Sequence, residues 1–312
     1  MVSECQKKRS SLMRRIYKAR YIYLFLIPGL LVLIIFRYIP MSGIILSFKQ
    51  YKGNLGVYGS PWIGLYHFKR LFQTPMAVKS ILTTLEISLG RLVFCFPAPI
   101  ILALLINEMP MKRTCRVYQT VYTFPHFLSW VIVAGIIRNV FKTNGAANMV
   151  LTGLGLDKIN FLGSPDIFRS MLYITSIWKG AGYSCILYLA CITSIDTQLY
   201  EAAELDGAGR FQQIWHVTLP GLRGIILIQL ILSISGFMNA GFDQIFNLRN
   251  AVVANSAQII DTYVYDITFG SMPDYGFSTA VGLFKGVVNM ILLILSDRTV
   301  KLLTGQSIYG GN

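Results

Sequence analysis

The chain has 312 residues, of which 54% are hydrophobic and only 13% are charged, whereas a typical soluble protein is about 45–50% apolar and about 25% charged. This number of charges is too small to cover the surface of a soluble protein of this length. The excess apolar surface must therefore face something other than water, and a lipid bilayer is the usual environment. The composition excludes a soluble enzyme, a disordered protein and a disulfide-stabilised secreted domain, and it predicts an integral membrane protein.

The net charge is +14, but the basic residues are not gathered on one polar surface, as nucleic-acid binding would require. Seven of them lie within the first twenty residues, directly before an apolar stretch. That arrangement holds a terminus in the cytoplasm. We therefore predict a basic cytoplasmic tail over residues 1–20 and no nucleic-acid partner.

The first apolar segment, residues 21–48, is too long for a signal peptide and is predicted to be a retained membrane helix. Five further segments are long enough to cross about 30 Å of hydrocarbon as helices. The sequence therefore predicts an all-α, multi-pass membrane protein with six transmembrane helices. The other five predicted spans are residues 80–106, 117–141, 170–195, 224–246 and 277–303.

The distribution of Lys and Arg predicts the orientation of these spans. With the N-terminus inside, the inner segments hold fourteen basic residues and the outer segments nine, which favours N-in and C-in. The first outer loop, residues 49–79, holds five of the nine, and topology alone does not explain them. Its second half predicts an amphipathic segment at the outer membrane surface, with Leu65, Phe68, Leu71 and Phe72 at helical spacing.

The most informative segment is the polar loop between the fourth and fifth predicted spans, residues 196–222. Helix propensity is high over residues 201–205, and the pair Asp206 and Gly207 suits a turn. A second short helix then follows, which Pro220 is predicted to end. Two short helices meeting at a glycine would protrude from the membrane.

The whole string resembles the EAA motif of the permease subunits of binding-protein-dependent ABC importers: Glu-Ala-Ala, three residues, Gly, nine residues, Ile, one residue, Leu-Pro. Val217 replaces the Ile that the family prefers and keeps a β-branched apolar side chain. Residues 61–65, 103–108, 241–247 and 260–265 are similar to the carbohydrate branch, in particular polysaccharide and oligosaccharide importers. The resemblance assigns coupling to Glu201, Ala202, Ala203, Asp206, Gly207, Leu219 and Pro220.

The resemblance covers the chain from residue 21 onward and implies the type I ABC importer transmembrane fold. The core permease domain would be residues 80–303, followed by a C-terminal tail over residues 304–312. The loop would be a cytoplasmic coupling helix, seated in a groove of an ATP-hydrolysing subunit. The implied partners are a second, homologous permease forming a heterodimer, two copies of the ATPase and an extracellular solute-binding protein. The implied substrate is an oligosaccharide, and the implied location is the bacterial plasma membrane.

The chain itself shows no catalytic, cofactor or metal motif. Binding of ATP would need a phosphate-binding GxxxxGK[ST] loop, and the sequence contains no Gly-Lys dipeptide. The three histidines do not lie at the spacing of metal ligands or of a catalytic pair. The prediction is that the chain is not an enzyme and that ATP and Mg²⁺ are bound by the partner ATPase.

Polar residues inside the predicted spans indicate a pathway. Each charge costs about 2.5–3.5 kcal/mol to insert, so such residues usually face a bundle interior or a wet cavity. Glu86 and Arg91 could pair with each other or with another subunit. The fifth predicted span combines polar residues with glycines, which suits a hydroxyl-rich ligand and equally suits helix packing. The substrate-pathway candidates are Asn239, Phe242, Asp243, Gln244 and Lys285.

The main alternative is an ion-gradient-driven secondary transporter or channel. It would predict an intramembrane carboxylate or histidine relay and an internal inverted repeat. The sequence offers only Glu86 and Asp243 for the relay and no convincing repeat. A membrane-embedded enzyme would need catalytic pairs that the sequence lacks. The EAA-like string fits neither alternative.

Overall fold

The computed structural model describes residues 18–110 and 112–304, except for the side chains of residues 112–114, 303 and 304. Over these residues the chain is helical, with no strand, and one isolated antiparallel bridge joins Lys49 to Trp62. The all-α prediction is confirmed. Most of the predicted N-terminal tail (residues 1–17) and nearly all of the C-terminal tail (residues 305–312) lie outside the described residues.

We number the twelve described helices that have seven or more residues, and α1, α3 and α9 each combine consecutive helical stretches. Short helical turns also occur at Gly56–Gly59, Phe124–Phe127 and Ala254–Ala257. The numbered helices are α1 (Arg20–Phe48), α2 (Tyr66–Gln73), α3 (Pro75–Asn107), α4 (Lys112–Thr123), α5 (Trp130–Phe141), α6 (Ala146–Gly153), α7 (Pro165–Ile192), α8 (Thr197–Leu205), α9 (Arg210–Ser235), α10 (Phe242–Leu248), α11 (Ile260–Phe269) and α12 (Tyr275–Thr304).

Three of the long helices contain a π-helical turn placed in the same way relative to a proline. In each case the proline comes two positions after the turn ends. A proline cannot donate a backbone hydrogen bond, and its ring collides with the carbonyl four residues earlier. The wider π turn accommodates both defects. The turns and their prolines are Ile34–Tyr38 with Pro40 in α1, Arg91–Cys95 with Pro97 in α3, and Ile214–Thr218 with Pro220 in α9.

The prediction that Pro220 ends a short helix is therefore wrong, because α9 continues through it to Ser235. The predicted fifth span, residues 224–246, is also wrong as a single helix. The chain leaves the helix after Ser235, runs through a non-helical segment over residues 236–241, and forms the separate helix α10. Gly241 adopts φ +85° at this break, a left-handed conformation that glycine adopts without steric cost.

Four described helices, α1, α3, α9 and α12, are long and apolar enough to cross a membrane. Helix α7 has 28 residues and is also long enough, although it is less apolar. The predicted third span, residues 117–141, is wrong as one straight helix. Its two halves meet at a bend of 100° between Phe127 and Trp130, directly after the short 3₁₀ turn Phe124–Phe127 that contains Pro125. The count of six spans and the N-in orientation remain predictions.

Helix α7 occupies the centre of the described chain and packs closely on α3 and α4. A Cβ atom at Gly90 would overlap the Tyr173 hydroxyl, and one at Gly182 would overlap the carbonyl oxygen of Tyr122. Small residues at these positions let the helices approach, which is how helices associate where lipid removes the hydrophobic driving force. The fully buried side chains of this region include Ile87, Phe168, Leu172, Ile245 and Ile259.

Helix α1 stands apart from the rest of the chain. Every residue from Arg20 to Met41 is exposed, and α1 joins the main body through its last turn, Ser42–Phe48, which packs against α12. Its apolar side chains therefore face away from the chain, toward lipid or another subunit.

The predicted amphipathic segment of the first outer loop forms α2, whose Leu71 and His67 side chains are buried. The predicted apolar face is only partly buried, since Leu65 and Phe72 remain exposed. Docking of α2 on α12 brings the loop against the start of the last helix.

Two of the basic residues in this loop have structural partners. The Lys49 ammonium is buried and donates hydrogen bonds to the carbonyl oxygens of Val57 (3.2 Å) and Tyr58 (2.6 Å). The Arg70 guanidinium forms an ion pair with Asp274 at 2.5 Å. These contacts account for part of the basic excess that topology alone did not explain.

Candidate coupling loop and central cavity

Helix α8 begins at Thr197, directly after Asp196, whose carboxylate accepts from the Gln198 N–H and caps the first turn, and it ends in a Schellman turn at Gly207. The Gly207 N–H donates to the Glu204 carbonyl (3.0 Å), and the Ala208 N–H donates to the Ala203 carbonyl (2.8 Å). Gly207 has φ +76°, a conformation that costs a residue with a side chain about 1–2 kcal/mol. The glycine of the motif is therefore required by the backbone.

On the other side of this turn the Gly209 N–H donates to the Gln212 side-chain oxygen (2.8 Å), which caps the start of α9. The Tyr200 hydroxyl then joins α8 to the π turn of α9 through a 3.0 Å hydrogen bond to buried Thr218. The Arg210 guanidinium pairs with Glu108, just after α3, at 3.4 Å. The loop is thus a stiff projection attached to two long helices.

The outer surface of this projection carries unusually exposed apolar side chains. Leu205 is 90% exposed, Phe211 89% and Trp215 69%. One turn before Leu205 on α8, the exposed Glu201 carboxylate has no hydrogen-bond or ion-pair partner within the described residues. Large apolar side chains clustered on an exposed surface mark a site for protein contact.

The structure divides the motif residues between two places. Five of them lie in the projection, at the end of α8 and in the turn that follows it: Glu201, Ala202, Ala203, Asp206 and Gly207. The other two, Leu219 and Pro220, lie within α9 directly after its π turn. The motif therefore specifies both the turn that shapes the projection and the defect in the helix behind it.

A cavity of about 460 Å³ lies among α3, α7, α9 and the segment over residues 236–241. Its walls combine hydroxyl and amide groups with aromatic rings, a combination suited to a hydroxyl-rich ligand. The lining residues are Ser88, Arg91, Leu92, Cys95, Phe96, Pro99, Tyr183, Ser184, Leu187, Tyr188, Gln229, Ser233, Gly236, Phe237 and Asn239.

The segment over residues 236–241 is non-helical within a stretch that was predicted to span the membrane. Non-helical backbone at membrane depth is tolerated where it is buried in protein or lines a cavity. Here the Met238 N–H donates to the Asn289 side-chain oxygen (3.0 Å), and the Asn239 N–H donates to the Gly236 carbonyl (2.7 Å). The segment is held in place at the cavity wall, which is the usual position of ligand sites built from discontinuous helices.

Arg91 is the one charged side chain among the cavity-lining residues that the structure describes. Its guanidinium donates to the side-chain oxygens of Gln244 and Ser176, the latter at 3.2 Å. Its Nε and the Ser88 hydroxyl, both buried, have no hydrogen-bond partner among the described residues. The guanidinium also lies directly over Gly241, where a Cβ atom would overlap it.

Arg249 shows the more usual environment of a partly buried arginine. It forms hydrogen bonds of 2.8 and 2.9 Å to the two carboxylate oxygens of Asp266, and these raise its pKa above the ordinary arginine value. No carboxylate pairs with Arg91 among the described residues. Glu86, for which the sequence left pairing with Arg91 or with another subunit open, forms an ion pair with Arg169 at 2.8 Å.

The structure brings one of the five pathway candidates, Asn239, to the cavity. Gln244 is buried and donates to the Leu172 carbonyl and the Thr175 hydroxyl, both at 2.8 Å, so it holds α10 on α7. The remaining three lie elsewhere: Phe242 stacks on Phe246, Asp243 is exposed, and Lys285 forms an ion pair with Asp261.

Sequence reasoning missed most of the cavity lining. Two signals were present: a lone Arg91 in an apolar run six residues before Pro97, and the pair Gln229 and Ser233 four residues apart on one helical face. Nothing in the sequence indicated that Ser88 and Tyr183 line the cavity, because isolated serines and tyrosines are common in membrane helices.

Comparison with known proteins provides the identity. A family profile described as "Binding-protein-dependent transport system inner membrane component" matches residues 95–304. The polygalacturonan/rhamnogalacturonan transport system permease protein YteP of Bacillus subtilis (strain 168) is 40% identical over 305 residues, covering 97% of this chain and 95% of that protein. Protein LplB of the same strain is 42% identical with the same coverage.

Two solved structures share the fold. A chain of a bacterial ABC transporter that imports the acidic polysaccharide alginate is 36% identical, with a TM-score of 0.87, and covers 94% of this chain and 99% of that chain. A chain of the alginate transporter in complex with a periplasmic protein bound to alginate pentasaccharide is 35% identical, with the same TM-score, covering 95% and 99%.

These matches confirm the predicted resemblance, the permease fold and the membrane location. They also identify the chain as a transport subunit and not an enzyme. The chain belongs to the family of binding-protein-dependent transport system inner membrane components and is a multi-pass permease subunit of a bacterial ABC importer.

Proposed function

We propose that this chain is one of two permease subunits of an importer that moves an oligosaccharide across the plasma membrane. ATP hydrolysis in a partner subunit drives the transport, and an extracellular solute-binding protein delivers the substrate. The names of the relatives support this substrate class: one belongs to a polygalacturonan/rhamnogalacturonan transport system, and another is described with a periplasmic protein that holds an alginate pentasaccharide.

The observation that carries the proposal is that one helix joins the coupling loop to the cavity. Helix α9 begins at Arg210 in the loop and reaches Gln229 and Ser233 at the cavity wall. At about 1.5 Å per residue, this helix transmits a displacement of the loop over about 35 Å. Movement at the cytoplasmic surface, where the predicted orientation places the loop, would therefore move the wall of the pathway.

A second, homologous permease subunit completes the pathway in this proposal. The cavity is walled by three helices and one non-helical segment, and α1 presents apolar side chains away from the chain. A partner helix bundle would close the open side of the cavity and cover such a surface. The resemblance noted in the sequence favours a heterodimer.

Two copies of the ATPase bind ATP and Mg²⁺ in the proposed complex. Closure of the ATPase dimer on ATP draws the two coupling loops together, and the permease pair opens outward as a result. Glu201 and the exposed side chains of Leu205, Phe211 and Trp215 form the contact surface for the ATPase. A buried carboxylate at such a contact contributes a charge-assisted hydrogen bond, whose loss can cost about 2–5 kcal/mol.

The test is gentle detergent purification of the tagged chain from its native membrane, followed by mass spectrometry of the companion proteins. We expect the wild type to retain an ATPase and a second permease. Glu201→Lys places a cation on the contact surface, so we expect it to lose the ATPase and oligosaccharide uptake while keeping the second permease. Asp157→Lys is the matched control, since Asp157 is an exposed acidic residue far along the chain from the loop.

Recovery of the wild-type chain alone, or only with copies of itself, would contradict the importer and favour the gradient-driven transporter. Normal uptake by Glu201→Lys would contradict the coupling role alone, because assembly of the wild-type complex would still be observed.

A further inference from the structure

The cavity wall contains a partly buried charge, Arg91, that forms no ion pair within the described part of the chain. A buried ion is stable when it is paired and its remaining hydrogen-bonding groups are satisfied. Arg91 lies midway along α3, within a helix long and apolar enough to span the membrane, and both of its acceptors are neutral side chains. Among the residues that the structure describes, no anion compensates its charge.

The guanidinium also has unused hydrogen-bond donors. Of its five N–H groups, the structure provides acceptors for two, the side-chain oxygens of Gln244 and Ser176. The Nε–H is buried and has no hydrogen-bond partner among the described residues. One turn earlier on the same helix, the Ser88 hydroxyl is also buried and also has no partner among them. The remaining guanidinium donors and the Ser88 hydroxyl therefore have hydrogen-bonding capacity that no described residue fills, and a ligand with its own oxygens would fill it.

The local backbone holds this arrangement in place. Arg91 is the first residue of the π turn Arg91–Cys95, and its guanidinium lies against Gly241, where a Cβ atom would overlap it. Gln244 is itself fixed by the Leu172 carbonyl and the Thr175 hydroxyl. A guanidinium held by its neighbours loses little freedom when it binds a planar carboxylate, which is the geometry that arginine recognises best.

We propose that Arg91, assisted by the Ser88 hydroxyl, binds a carboxylate group of the passing substrate, so that the transported oligosaccharide contains acidic sugar residues. The inference rests on the proposed function. It specifies further that the substrate is negatively charged and that Arg91 is the residue that binds this charge. The neighbouring Tyr183, Phe237 and Asn239 provide ring faces and an amide for the sugar itself.

A structural role for Arg91 is the competing explanation, because its bonds to Gln244 and Ser176 tie α10 to α3 and α7. A structural tie would serve acidic and neutral substrates equally. A carboxylate site would distinguish them, so the test compares one sugar chain in two charge states.

The experiment uses the assembled transporter in lipid nanodiscs and does not depend on the binding protein. Cys95 lines the same cavity one turn after Arg91, so its labelling by a thiol reagent reports occupancy once the other four cysteines are replaced by serine. The probes are trigalacturonate and its fully methyl-esterified, uncharged form. We expect trigalacturonate to protect Cys95 at a concentration at least about tenfold lower than the methyl ester, since a charge-assisted pair is lost with the ester.

Two variants and a control locate the effect. Arg91→Gln removes the charge and keeps an amide for Gln244, and we expect it to abolish the preference for the acid, so that both probes protect Cys95 at similar concentrations. Arg91→Lys keeps the charge and should restore part of the preference. Arg169→Gln removes an arginine that already has Glu86 as its partner, and it should behave as the wild type.

Equal protection by both probes in the wild type would overturn the proposal, whatever the folding of the variants. A loss of protection by both probes in Arg91→Gln would also overturn it and would assign Arg91 to structure. Failure of the proposed function would look different, because the wild-type complex would then show no ATP-dependent oligosaccharide uptake in proteoliposomes.

Discussion

The coupling loop and the central cavity are built in opposite ways. The hydrogen bonds that shape the Schellman turn at Gly207 join residues at most five positions apart. At the cavity, Arg91 meets Ser176, 85 positions away, and Gln244, 153 positions away. A short string of residues therefore specifies the loop, whereas the cavity exists only when distant helices pack. The loop can therefore be recognised from the sequence, and substitutions in it should affect only the loop and its contact with the ATPase. Substitutions at the cavity should instead affect the contacts between the distant helices that form the cavity.

The largest effect is expected from changing the backbone of the loop. Gly207→Pro fixes φ near −65° where the structure has +76°, and it removes the N–H that donates to Glu204. We expect membrane insertion to be normal and ATP-driven oligosaccharide uptake to fall more than about 100-fold, because the projection no longer fits the ATPase. Uptake in proteoliposomes and ATPase co-purification measure the two effects.

Gly207→Asn is the matched control for this change. Asparagine tolerates the left-handed conformation better than most residues, so this variant should keep a substantial part of the uptake. If Gly207→Pro and Gly207→Asn gave equal uptake, the left-handed turn would not be needed for coupling. The function of the loop would then not depend on its local backbone conformation.

A smaller effect is expected from a backbone change at the cavity. Gly241→Ala adds a Cβ that overlaps the end of the Arg91 side chain at a position with φ +85°, a strain of about 1–2 kcal/mol. Since a flexible side chain can move away, we expect the fold and the ATPase contact to persist while uptake falls about tenfold. Gly282→Ala, on a helix with open space around it, should leave uptake unchanged. Loss of the ATPase in Gly241→Ala would show that the two regions are not separable.

The smallest effect is expected from the ion pair that joins the loop to the end of α3. Arg210 and Glu108 approach to 3.4 Å, and the arginine side chain is 73% exposed, so solvent screening reduces the contribution of this pair. Arg210→Gln should therefore change uptake by less than about twofold, and the thermal midpoint of the complex should hardly move. A large loss that the exchange Glu108→Arg with Arg210→Glu restores would instead make this pair a mechanical link between the loop and the cavity helix.

Much of the fold followed from patterns in the sequence, and the errors have a common cause. Apolar length correctly located α1, α3 and α12, because the bilayer requires long apolar helices regardless of their neighbours. It failed between Phe127 and Trp130, where two helices meet at 100°, and after Ser235, where the chain becomes non-helical. Apolar length could not reveal these breaks, because it is averaged over a whole stretch and does not register a local change of direction.

The sequence by itself determined that the chain lies in a membrane, that it belongs with importer permeases and that Gly207 forms the turn of the coupling loop. Those properties depend on composition and on residues a few positions apart. The tertiary structure alone decided that Arg91 and Asn239 share a cavity while Gln244 and Lys285 are held by structural partners. The physical reason is that the environment of a charged group is formed by helices that are distant in the chain. The packing of those helices decides whether the group contacts a carboxylate, a carbonyl oxygen or a cavity.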